Sequence, residues 1–245
     1  MAQGGLLACG GYPNLRGDLL MIKLINADCL PAMKEMPYKA FELAIVDPPY
    51  GIFGGGRSVT TSTGLKKVKE GDGGTWASKY NRQTSKWDFA PTEEYFMELK
   101  RVSKEQIIWG ANHFGYPFVN FAIWRKLTIS ESFTMSMAEI ASVSIKGNGK
   151  VFEYHPQNTQ RFHPTQKPVA LYQWLLKNYA KPGDKILDTH GGSMSIAIAC
   201  HDLGFDLTLY EIDKDYFSDG KARVERHMAQ SSLFMQPTEL IVEAM

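Results

Sequence analysis

Asp47-Pro48-Pro49-Tyr50 puts a carboxylate, a backbone carbonyl and an aromatic ring within four residues. Ala44-Ile45-Val46 runs into this stretch and Gly51 closes it. The apolar run reads as the end of a short buried strand. Pro48 and Pro49 end it, because neither can donate to a sheet ladder and each fixes its own φ. Asp47, the Pro48 carbonyl and Tyr50 are thereby set at the carboxyl end of a strand, where open α/β sheets bind ligands. The plainer structural reading of the same residues is a proline-terminated strand with a helix-capping Asp.

A second constellation lies in the other half of the chain. Asp184–Leu187 reads as a strand, and Asp188-Thr189-His190-Gly191-Gly192-Ser193-Met194-Ser195 is its exit loop. Ile196–Leu203 reads as a helix, and Asp206–Tyr210 as a strand that ends in Glu211-Ile212-Asp213. Strand, glycine loop, helix, strand and acid together form a nucleotide-binding βαβ unit. A dehydrogenase is the rival reading, but G-x-G-x-x-G is absent and Asp188 would repel a pyrophosphate. Upstream, His163-Pro164-Thr165-Gln166-Lys167-Pro168 leads into a helix over Val169–Tyr179, with Pro168 suited to the first turn. Asn26-Ala27-Asp28-Cys29-Leu30 follows another strand, and Asp28 there reads equally as a helix N-cap or as an acceptor for a nucleotide hydroxyl or amine. His163 and His190 could do acid–base work, although a hydrogen bond at a helix start explains them as well. Ser193 and Ser195 lack the nucleophile-elbow pattern.

These segments resemble the motifs of the amino-methyltransferases that act on DNA. Asp47–Tyr50 is similar to motif IV, His163–Pro168 to motif X, Asp188–Ser195 to motif I, Glu211 to the acid of motif II, and Asn26–Leu30 to the motif III strand end. The catalytic tetrapeptide precedes the cofactor motifs, as in the β group of that family, and the resemblance covers roughly Lys23 to Phe217. It implies transfer of a methyl group from S-adenosylmethionine (SAM) to the exocyclic 6-amino group of adenine in double-stranded DNA, with the base flipped out of the helix. Asp47, Pro48, Pro49 and Tyr50 would be catalytic. Asp47 and the Pro48 carbonyl would grip the two N–H groups and favour the pyramidal, nucleophilic amine, while Tyr50 stacks on the base. Cofactor contacts are implied for Asp28, Asp47, His163, Thr165, Gln166, Lys167, Asp188, His190, Gly191, Gly192, Ser193 and Glu211. Asp188 suits the cationic amino group of SAM, and Glu211 can take both ribose hydroxyls. In the family, Asp in motif IV goes mostly with adenine and Ser mostly with cytosine. Alternatives are N4-cytosine or RNA amino-methylation, or a DNA-binding homologue impaired in catalysis. Met194 departs from the pattern, standing where a second glycine or other small residue is usual. Its bulk either crowds the methionine end of SAM or points into the core.

The elements that must position these residues follow from periodicity. Strands are expected over 21–26, 41–46, 106–109, 119–124, 138–146, 184–187 and 206–210, and helices over 30–36, 92–102, 169–179, 196–203 and 213–227. The fold expected from the resemblance is a single doubly wound, mostly parallel, seven-stranded Rossmann-like sheet with helices on both faces. Residues 1–20 read as a flexible leader, 21–228 as the catalytic domain and 229–245 as a C-terminal tail. Within the domain, 51–91 is an inserted recognition loop, and 147–161 is a further candidate for recognition. Residues 51–86 hold eight glycines and seven basic side chains against Glu70 and Asp72, a local charge of +5. Arg57, Lys66, Lys67, Lys69, Lys79, Arg82 and Lys86, interleaved with Trp76 and Tyr80, suit a phosphate backbone and unstacked bases.

Composition is that of one globular domain: 245 residues, 44% hydrophobic, with a formal net charge of +1, so any nucleic-acid surface must be local. Cys9, Cys29 and Cys200 are far apart and form no CxxC pair, which fits a reducing compartment and no metal site. No apolar run reaches the roughly 18 residues of a membrane span. The expected location is cytoplasmic, and a homodimer is the expected assembly by analogy with the resembled group.

Overall fold

The structure, a computed structural model, describes residues 19–51, 88–132, 136–156, 162–163, 165–231 and 237–244. Alternating hydrophobic strands and amphipathic helices build one sheet covered on both faces. The strands are β1 (Leu20–Asn26), β2 (Phe41–Val46), β3 (Ser103–Trp109), β4 (Asn120–Lys126), β5 (Ala138–Val143), β6 (Lys150–Tyr154), β7 (Lys185–Asp188), β8 (Asp206–Tyr210) and β9 (Thr238–Ala244). The helices are α1 (Cys29–Glu35), α2 (Glu93–Val102), α3 (Ala111–Phe114), α4 (Val169–Tyr179), α5 (Ser195–Leu203) and α6 (Lys214–Ser231).

The strand order is β6-β4-β5-β3-β2-β7-β8-β1-β9. Only β5 runs against its neighbours, pairing antiparallel with both β3 and β4. The doubly wound, mostly parallel class expected from the sequence is the one observed. The count differs: nine strands among the described residues, not seven. The additional two are the edge strands β6 and β9, expected as part of a recognition region and as a tail. Each pairs on one side only and alternates between half-buried and exposed positions, so neither has the continuous apolar run that marks a central parallel strand. β9 is fastened in register along β1, with Leu24 opposite Val242 and Lys23 bridged to Glu243 at 2.7 Å.

Side chains of a strand alternate between faces, and two cores result. Ile22, Leu24, Leu43 and Ile45 pack with Leu171, Leu175, Ile196, Phe217 and Val224 from α4, α5 and α6. Ile25, Ala44 and Val46 face the other way, onto Met33 of α1 and Tyr95, Leu99 and Val102 of α2. The central strands β2, β7, β8 and β1 are thus buried on both faces, and their carboxyl ends open side by side. Among the described residues, no helix is long and apolar enough to cross a membrane.

Candidate active site

Asp47 leaves the carboxyl end of β2, Asp188 ends the adjacent β7, Glu211 follows β8, and Asn26 ends β1. Parallel pairing therefore brings residues from both halves of the sequence to one edge of the sheet. Two groups of side chains form there, one on Asp47 and one on the glycine loop.

Both oxygens of Asp47 have partners. The Tyr50 hydroxyl donates to Oδ1 at 2.7 Å, and the Lys167 ammonium donates to Oδ2. Lys167 also bridges Glu139 at 3.1 Å, and Glu139 bridges Lys126 at 2.5 Å. Burial pushes the Asp47 carboxyl above the usual carboxylate range, and the Lys167 ammonium opposes that rise. Burial would also raise Glu139, but Lys167 and Lys126 overcome it and hold that carboxyl down at about 2. Burial alone would lower Lys167; Asp47 and Glu139 reverse the sign and raise it.

The Tyr50 ring is held by the turn after β3. Gly110 lies against it so closely that an added Cβ would sit 2.2 Å from Tyr50 Cε1, and Gly110 has φ +68°, so glycine is required twice over. His113, exposed on α3, stacks on Tyr50 with ring centroids 4.9 Å apart and planes 18° apart, and Phe114 meets its edge.

The glycine loop is bound by its own carboxylates. Asp188 is 2% exposed and accepts from the His190 amide at 3.0 Å. Burial, with Asp47 and Glu211 nearby, pushes its carboxyl up to about 8. Glu211 accepts from the Gly192 amide at 2.7 Å and the Asp213 amide at 2.8 Å, and burial raises it too. Asn26 donates to the Glu211 carbonyl at 2.7 Å, tying β1 to the turn after β8. Arg223 of α6 donates to the Ser193 carbonyl and the Ser195 hydroxyl, closing the loop from behind. Burial drops His190 to about 4, so its imidazole is neutral at pH 7, where it meets Tyr95 edge-on and hydrogen-bonds Thr189 at 3.0 Å. Met194 stands at φ +55°, a left-handed conformation that favours glycine, and its fully buried side chain packs against Gly220 of α6. The core alternative for Met194 is therefore the one realised.

The motif residues separate by placement. Asp28 is exposed and caps α1, accepting from the Leu30 amide. His163 is buried, with its ring 4.2 Å from Tyr216 and close to Gly192, so it links the residues before α4 to the glycine loop. Thr165 is exposed beside His163, and the Gln166 side chain accepts from the Phe162 amide. Lys167, expected at the cofactor, has its ammonium on Asp47. Arg57, Lys66, Lys67, Lys69, Trp76, Lys79, Tyr80, Arg82 and Lys86 lie outside the described residues. Where that segment begins and ends, Asp88 accepts from the Gly51 amide at 2.8 Å and so joins its two flanks. Sequence reasoning missed Glu139, Lys126, His113, Tyr95 and Arg223. Lone residues at strand ends and on helices carry no spacing signal; only Gly110-Ala111-Asn112-His113, directly after a strand, could have drawn attention.

This donor set fits a cationic nucleoside. Two buried carboxylates stand at the ends of adjacent strands with no phosphate cradle, since the glycine-loop amides of His190 and Gly192 are occupied by Asp188 and Glu211. Among the described residues, no group of three side chains could hold a metal ion.

Comparison with known proteins agrees with this geometry. YubD of Escherichia coli (strain K12), named as a methylase, is 24% identical over 86% of this chain and 95% of its own length. The type II methyltransferase M.HpaI of Haemophilus parainfluenzae is 22% identical over 83% of this chain and 74% of its own. Among solved structures, the M1.HpyAVI–SAM complex superposes with a TM-score of 0.52 at 19% identity, covering 83% of this chain and all of that one. The cytosine-N4-specific PvuII DNA methyltransferase superposes with a TM-score of 0.54 at 11% identity, covering 91% of this chain and 96% of that one. These structures share the fold. The DNA methylase family itself matches residues 76–222, more than half of the chain, from the basic segment through Glu211. The matched span begins after Asp47–Tyr50, whose placement rests on the sheet geometry alone. By that match, with β7, the glycine loop, β8 and Glu211 all inside it, the chain belongs to the N6/N4 DNA methylase family.

Proposed function

We propose that this protein transfers a methyl group from SAM to the 6-amino group of adenine in double-stranded DNA. The observation that carries this reading is the Asp47 carboxylate at the carboxyl end of β2, one strand from Asp188 and two from Glu211. SAM supplies an electrophilic methyl on a sulfonium, which leaves as a neutral thioether. The protein's part is to hold a poor nucleophile in line with it. Asp47 and the Pro48 carbonyl accept the two N–H groups of the amine, so its lone pair is released from the ring and directed at the methyl carbon. Positive charge develops on that nitrogen as the bond forms, and the Asp47 carboxylate stabilises it and takes the departing proton. Tyr50 supplies the aromatic surface for the flipped base, and its hydroxyl orients Asp47. Asp188 takes the cationic amino group of SAM and Glu211 the ribose hydroxyls. The basic segment 51–86 is assigned to the DNA phosphates.

Nucleoside mass spectrometry after incubation with SAM and unmethylated DNA tests the reading, beside an Asp47→Ala control. N6-methyladenine from the wild type alone is expected. Near-normal methylation by Asp47→Ala overturns the assignment. A second reading, N4-cytosine methylation, is favoured by the cytosine-specific fold neighbour; N4-methylcytosine as the product would keep the mechanism and change the base.

A further inference from the structure

Lys167 is among the most deeply buried charges in the protein, with its side chain 2% exposed. It is the residue immediately before Pro168 and α4, yet its ammonium reaches across to the catalytic loop. There it meets Asp47, Glu139 at 3.1 Å and the Tyr50 hydroxyl at 3.4 Å, above the indole of Trp109 at 5.3 Å. Glu139 comes from β5 and is held by Lys126 of the neighbouring β4, itself only 8% exposed. Four charges from four segments thus form a neutral row: Asp47, Lys167, Glu139, Lys126. A buried ion pair is costly to assemble, and removing one partner leaves a charge uncompensated, so such rows persist for what they position as much as for stability. A lone ammonium facing Asp47 would pull fully onto it and compete with the substrate amine. Glu139 divides that ammonium between two carboxylates.

We propose that Lys167 and Glu139 are positioning residues for methyl transfer: Lys167 keeps the Asp47 carboxylate ionised and oriented toward the target amine, and Glu139, tethered by Lys126, keeps Lys167 from closing on it. This rests on the methyltransferase reading of Asp47. Among the described residues, the groups facing Asp47 are Tyr50 from its own loop, Lys167 from before α4, Tyr172 from α4, Glu139 from β5 and Asp188 from β7. Of these, only Lys167 is cationic. Removing it leaves burial and the Glu139 carboxylate to raise Asp47 further. Removing the Glu139 charge takes away a like charge and frees Lys167 for Asp47, so Asp47 falls. The two variants shift the same carboxyl in opposite directions, which a merely structural role does not do.

The test is the pH profile of single-turnover methyl transfer for wild type, Lys167→Met and Glu139→Gln, with SAM affinity measured in parallel. For Lys167→Met the acid limb moves up by at least one pH unit, the rate at pH 7 drops about tenfold or more, and activity recovers at alkaline pH, one unit being a factor of ten. For Glu139→Gln the acid limb moves down and the plateau rate falls. SAM affinity, measured at alkaline pH where Asp188 is ionised, stays at the wild-type value in both, because Lys167 also helps to hold Asp188 down nearer neutrality. Unchanged profiles, or SAM affinity lost in step with the rate, overturn the proposal, the latter by making Lys167 a cofactor contact. If Lys167→Met fails to fold, Glu139→Gln decides alone. Carbon-13 NMR of the Asp47 carboxyl, assigned with Asp47→Asn, reads the same opposite shifts without turnover. An inactive wild type would therefore overturn the methylation reading, while the NMR titration still judges the positioning.

Discussion

Met194→Gly sets two effects of opposite sign against each other. Met194 is at φ +55°, a left-handed conformation that costs a side-chain-bearing residue roughly 1–2 kcal/mol and glycine nothing. Its side chain is also fully buried against α6. Truncating a buried methionine costs roughly 2–5 kcal/mol, because transfer free energy is lost and a cavity is left. Burial outweighs strain, and a net loss of about 2 kcal/mol is expected. For a domain of this size that lowers Tm by roughly 4–8 °C, measurable by circular dichroism. Gly220 supplies the control, since a Cβ there would sit 2.7 Å from Met194 Cγ. In the wild type Gly220→Ala overpacks, costing about 1–3 kcal/mol. In the Met194→Gly background the overlap is gone, and the same change raises stability by up to about 1 kcal/mol through helix propensity. SAM affinity measured well below Tm stays at the wild-type value, because the side chain points away from the loop's ligand side. An unchanged or higher Tm for Met194→Gly, or the same sign for Gly220→Ala in both backgrounds, would refute the packing assignment.

Asp188, pushed up to about 8, holds its proton at pH 7 in the free protein and must release it to take a cationic amino group. SAM affinity should rise by up to about tenfold per pH unit from pH 6 and level off above 8. Calorimetry in buffers of different ionisation heat should detect the released proton, and a pH-independent affinity would contradict the role. The same group bears on stability. Its folded value lies above the unfolded one of about 3.9, so its contribution is full below pH 4 and is lost as pH rises through 8. Gly110→Ala forces a left-handed alanine and drives a methyl into the Tyr50 ring, so methyl transfer should fall at least about tenfold with SAM binding intact, a selective loss expected of a positioning defect. His113 covers one face of Tyr50, and a base using that face must first displace it. An aromatic stack is worth about 0.5–1.5 kcal/mol, so His113→Ala should tighten binding of DNA carrying 2-aminopurine at the target by about 2- to 12-fold. Weaker binding would instead make His113 part of the base stack.

Much of this site can be read from the amino acids because its chemistry is tied to strand ends. Apolar runs stopped by proline, glycine or acid mark where the chain leaves a parallel sheet, and Asp47, Asp188 and Glu211 each follow such a run. Local periodicity was sufficient for the central strands β2, β7 and β8 and for α2 and α4, whose apolar faces are complete within a few turns. It was insufficient for β6 and β9, because an edge strand gets its stability from a neighbour's hydrogen bonds rather than from its own apolar content.

What tertiary structure alone decided is which charges meet. Lys167 and Asp47 are 120 residues apart, and nothing in the spacing of either announces the other. Glu139 is one acid on an ordinary strand until β4 and β5 pair antiparallel and bring Lys126 beside it. The direction of the Met194 side chain was equally undecidable from its type, since the same residue crowds a ligand or fills a core depending on whether a glycine on α6 leaves room for it. Residue types set the chemistry available to this protein. Long-range packing, which no local pattern encodes, set the protonation and orientation in which that chemistry is held.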